Sequence, residues 1–98
     1  MIIHQVLTSL ENATDPVIKI FRQNEQSKVI IAGFKKGMSL KNHQTDIRTT
    51  LIVIKGAVTY KEDERNIDLC QFDELDIPIN VTHAVYAMED SLCFLIRG

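Results

Sequence analysis

Thr50-Leu51-Ile52-Val53-Ile54-Lys55-Gly56 carries the densest β signal in this chain. Aliphatic and β-branched residues crowd it, as suits a pleated, half-buried surface, and Gly56 ends it. Downstream, Ala57-Val58-Thr59-Tyr60-Lys61 resumes at once, and a charged loop over 62–66 leads back into Ile67-Asp68-Leu69-Cys70. Phe72 to Ile77 then runs to Pro78, and His83-Ala84-Val85-Tyr86-Ala87-Met88 reads as a strand. Glu89-Asp90-Ser91 turns that strand into Leu92-Cys93-Phe94-Leu95-Ile96. Upstream, Val17–Arg22 and Lys28–Phe34 flank a polar turn and read as a hairpin. Gly33 inside its second strand signals a bulge or a close backbone approach. Gly37 marks a turn before the short, polar segment Leu40–Thr45.

About eight short strands, separated by turns roughly every 6–12 residues, argue for an all-β domain. At this length a double-stranded β-helix, or jelly-roll barrel, is expected rather than an immunoglobulin-like sandwich. The barrel is placed at residues 17–98. Residues 1–16 are expected to form an irregular arm with room for one short helical turn, which Ser9 or Asn12 could cap and Asp15-Pro16 would then end.

The 98 residues suffice for one domain. Eleven basic and thirteen acidic side chains give a net charge of −2, which is poor for a nucleic-acid surface. The first 49 residues carry seven basic and four acidic groups, the rest four and nine; the acidic half reads as wet loops and edges. Cys70 and Cys93 are far apart in apolar runs and read as reduced thiols, not a disulfide framework. No apolar run approaches the roughly 20 residues that span a bilayer, and Met1–Leu7 lacks the features of a secretory signal. A soluble cytoplasmic protein is expected.

Two histidines stand out. His43 and His83 each follow a turn marked by glycine or proline. Alternation puts His83, Val85 and Ala87 on one face, His43 with Thr45, and Thr49 with Leu51 and Val53. One register gathers His43, Thr45, Thr49 and His83 around a single pocket, with Leu51, Val53 and Val85 behind them and Met38 at its mouth. Paired imidazoles can bind a small anion or a polar ligand near neutral pH, and either can act as a general base. Each equally fits a structural role, bonded to a carbonyl or water. Gln44 and Asp46 are the nearest further donors, but alternation points both away from His43. His4 on the arm is the remaining imidazole. Tyr86 is expected on the outer sheet face; Tyr60 is expected either there or exposed in a hairpin.

These residues resemble the motifs of the cupins. The first cupin motif runs glycine, five residues, His-x-His, three or four residues, glutamate, six residues, glycine. Here the positions hold Gly37, His43, Thr45, Thr49 and Gly56, with every gap kept. The second, glycine, five residues, Pro-x-Gly, two residues, histidine, three residues, asparagine, corresponds to Phe72, Pro78, Asn80, His83 and Ala87. The resemblance covers roughly residues 17–96. It implies a jelly-roll fold, a homodimer and a metal held by three histidines and a glutamate. Thr45 and Thr49 stand where a histidine and the glutamate belong, so only His43 and His83 remain as ligands should a divalent metal bind. Such a site normally needs three or more good donors. No cofactor is therefore expected. Phe72 in place of glycine implies a differently built turn, whereas Asn80 tolerates left-handed angles.

Three functions stay open. The first is a small-molecule-binding cupin without a tightly bound metal. The second is a metal-dependent oxygenase, isomerase or lyase acting on a small polar substrate through His43 and His83. The third is a structural or interaction module using the outer sheet face.

Overall fold

Alternating apolar residues sort these strands into two layers with a shared interior. The computed structural model describes residues 1–98. A helix, α1 (Ile2–Leu10), precedes nine strands: β1 (Val17–Gln23), β2 (Lys28–Phe34), β3 (Ser39–His43), β4 (Thr49–Lys55), β5 (Ala57–Glu62), β6 (Arg65–Cys70), β7 (Glu74–Ile77), β8 (His83–Ala87) and β9 (Ser91–Arg97). One sheet has the order β1-β2-β9-β4-β7 and the other β3-β8-β5-β6, with every pairing antiparallel. The inward residues of β4 (Leu51, Val53), β5 (Val58, Tyr60), β8 (Val85, Ala87) and β9 (Cys93) form one buried cluster with Phe34 and Leu69.

The jelly-roll topology is present, but the closed barrel is not. No strand pairing joins the two sheets, which end in the edges β1 and β7 and the edges β3 and β6. Closure would require those edges to share a ladder. β7 has four residues and β3 five, and the registers of β1 and β3 are interrupted between Ile20 and Arg22 and between Leu40 and His43. Short, irregular edges cannot sustain a continuous seam.

The chain changes sheet between β4 and β5 at Gly56, whose φ is +87°. A side chain there would collide with the Asp90 carbonyl and Ser91. Ser91 Oγ accepts the Ala57 N–H at 3.1 Å, which ties this corner to the β8–β9 corner.

The irregular arm is also corrected. Residues 2–10 form a helix, with Val6 fully buried and Leu10 nearly so. Ile2, Ile3, Val6 and Leu10 recur at helical spacing, but nine residues without a capping side chain make a weak isolated signal. The outer face of the five-stranded sheet supplies the missing half of the contact, as Val6 packs with Ile31 and Leu92. Gly33 is the close approach: a Cβ there would lie 2.6 Å from Val6 Cγ1. This helix is not long and apolar enough to cross a membrane.

The turn at Phe72 is not rebuilt. Phe72 adopts φ +73°, a value suited to glycine, while the residue is 74% exposed. Its N–H donates to the Val53 carbonyl at 2.6 Å, and Asp73 N–H donates to the Cys70 carbonyl at 3.0 Å. The backbone bonds hold the turn in spite of the side chain.

Candidate functional site

His43 and His83 meet because they are cross-strand partners. In the β3–β8 ladder Leu40 faces Val85 and His43 faces His83, with a register shift between them. The imidazole Nε2 atoms stand 3.1 Å apart and the ring centroids 4.2 Å apart. His83 is buried and His43 is exposed.

The partners of the other ring nitrogens define the protons. His43 Nδ1 lies 2.8 Å from the Lys41 carbonyl and His83 Nδ1 lies 3.0 Å from the Val81 carbonyl. A carbonyl only accepts, so both Nδ1 atoms carry hydrogen. A hydrogen bond between the two Nε2 atoms requires a proton on one of them. Burial, and the His43 charge after it, push the His83 ring below its ordinary value, while the Val81 carbonyl and Glu62 act the other way.

Behind His83 lies a support that the sequence analysis missed. Tyr60 is fully buried, not exposed in a hairpin or on an outer face. Its ring stacks on His83, with centroids 5.7 Å apart and planes 26° apart. Its hydroxyl donates to Glu62 Oε2 at 2.5 Å, and Glu62 accepts from Arg65 Nε at 2.6 Å. Burial and the Glu62 carboxylate push the Tyr60 hydroxyl well above the usual phenol range. The Arg65 bond, followed by the Tyr60 bond, holds Glu62 low. The signal for Tyr60 was its two-residue spacing from Val58 on one strand.

The imidazoles open into a cavity of about 350 Å³ lined by residues of both sheets. Gln44, Thr45, Thr49 and Arg97 supply its other polar walls, and Ile18, Ile30, Leu40, Ile77 and Leu95 its apolar ones. Four of the seven residues expected at the pocket, His43, Thr45, Thr49 and His83, line it; Leu51, Val85 and Met38 do not. Leu51 and Val85 belong to the dry core, with Met38 packed against it. Gln44 faces the cavity because β3 ends at His43 and strand alternation ends with it; its amide donates to Thr82 Oγ1 at 2.9 Å. Asp46 points outward, 82% exposed. His4 sits exposed on α1.

The threonine hydroxyls both donate to the Ile47 carbonyl, Thr45 at 2.5 Å and Thr49 at 3.0 Å, and lie 3.3 Å from each other. Their lone pairs, not their protons, are left for the cavity. Arg97 was not anticipated. It ends β9 opposite Thr49, and its Nε is buried without a hydrogen-bond partner. Its terminal nitrogen reaches Asp46 only at 3.5 Å. An unmatched buried donor costs about 1–3 kcal/mol.

No protein-family model matches the sequence, and no curated protein does. Solved structures do match. A cupin-superfamily protein from Desulfitobacterium hafniense superposes with a TM-score of 0.79 at 21% identity, over 94% of this chain and 86% of that one. An RmlC-like cupin from Desulfovibrio desulfuricans gives 0.79 at 22% identity, over 86% and 82%. The chain has the cupin fold. A conserved Klebsiella pneumoniae protein with a double-stranded β-helix domain gives 0.81 at 15% identity, over 95% and 85%.

Within this cupin fold the donors do not fit a resident divalent metal. No group of three or more His, Cys, Asp or Glu side chains is placed to hold one. His43 and His83 provide two nitrogens, and the threonine hydroxyls are neutral and committed to Ile47. Three good protein donors are the usual minimum.

Proposed function

We propose that this cupin-fold protein binds a small organic molecule directly, without a protein-held metal, in the cavity lined by both sheets. The carrying observation is the convergence of two imidazoles, two hydroxyls and an amide on one cavity of about 350 Å³ with apolar opposite walls. Its size and mixed lining suit a small ligand whose polar end is oriented by few groups. His43, Thr45, Thr49 and His83 are the proposed contacts, and Tyr60 holds His83 in place. Assembly as a homodimer belongs to the same reading: the edge strand β1 leaves Ile20 half exposed, and a second copy would cover it.

Thermal-shift screening of small organic molecules, followed by amide chemical-shift mapping, tests the reading. Ligands should raise the melting temperature of the native protein, perturb residues 43–49 and 83, and lose their effect in His43→Ala. Ligands that map elsewhere, or none at all, would overturn it. Elemental analysis of protein purified without added metal tests the metal-free part. A stoichiometric transition metal that His83→Ala removes would refute that part.

A further inference from the structure

The cavity's polar walls are unequal in sign. No aspartate or glutamate lines it, whereas Arg97, a permanent cation, does. Arg97 Nε is a buried donor without an acceptor, and the guanidinium's only carboxylate neighbour, Asp46, is 3.5 Å away and largely in solvent. What Arg97 offers the cavity is its positive charge, and a bond from a guanidinium to an ionised acceptor is the stronger kind. The adjacent threonine hydroxyls already donate to Ile47 and offer lone pairs, so they do not compete for an oxyanion. Leu95 on the same strand, Ile30 on the adjacent β2 and Ile18 on β1 beyond it are apolar. The space beside the cation therefore suits a short hydrocarbon body, not a second charge.

We infer that the ligand is a small monocarboxylate, its carboxylate seated on Arg97 and its apolar body against Ile18, Ile30 and Leu95. This rests on the direct-binding reading above and adds the chemical class. Arg97 acts as the anchor, and the His43–His83 pair forms the opposite polar wall.

Butanoate and hexanoate, titrated against the native protein alongside butanamide and hexanamide, provide the test by amide chemical shifts. The acids should perturb Arg97, Leu95 and Thr49, and the amides should bind at least about tenfold more weakly, as the loss of a charge-assisted bond implies. Arg97→Gln should weaken the acids by a similar factor, and added salt should weaken them progressively. Amides that bind as well as acids would overturn the inference; that comparison needs no variant and stands even if Arg97→Gln fails to fold. Ligands from the wider screen that occupy the cavity while neither acid binds would refute the carboxylate class and leave the direct-binding reading intact. A cavity that binds nothing refutes both.

Discussion

The two ends of the same strands differ sharply. Along β4, Val53 and Leu51 sit in a dry core and Thr49 faces the cavity; along β8, Ala87 and Val85 give way to His83; along β9, Cys93 gives way to Leu95 and Arg97. The inward face continues without interruption, and only the side chains on it change. A sheet pair can thus host a site at one end at little cost to folding, because the cohesive half lies at the other end. Burial at the core end also pushes the Cys93 thiol up to about 12, so it stays a protonated small hydrophobe.

If that division is real, Phe34→Ala should have the largest effect. Phe34 is fully buried in the main cluster, and the truncation should cost about 3–5 kcal/mol in denaturant unfolding. A loss under about 1 kcal/mol would place the cohesive region elsewhere.

Phe72→Gly should act in the opposite direction. Phe72 is exposed with φ +73°, so glycine should stabilise by about 1 kcal/mol through relief of backbone strain. An unchanged or lower melting temperature would mean that the turn is not strained.

A pH series sharpens the contrast from the cavity end. Burial holds His83 below its ordinary value of 6.5. Between that lowered value and 6.5 the unfolded chain binds more protons than the native one, so stability should fall as pH drops through this window and be fully present above it. His83→Gln should flatten that part of the profile. An equal slope in both proteins would show that other groups cause it. The smallest effect is expected for His43→Ala, below about 1 kcal/mol, because the ring is exposed.

Much of this was legible in the chain. The strands around Thr50–Lys55, the hairpin over 17–34 and the inward faces of β4 and β8 follow from period-two alternation, which is a local property. The spacing of Gly37, His43, Thr45, Thr49 and Gly56 pointed to the cupin fold that the superpositions show. The helix over Ile2–Leu10 was missed because its apolar stripe is stabilised only by the sheet beneath it.

Residue order and polarity thus determined the strands, their facing and the loss of two metal-ligand positions. Tertiary packing alone decided that the sheets stay unsealed, that Tyr60 lies against His83, that Leu51 and Val85 sink below the cavity floor, and that Arg97 arrives beside Thr49. Alternation fixes which side of a sheet a residue occupies; its depth along the strand, and what meets it from other strands, depend on how the two layers are laid together.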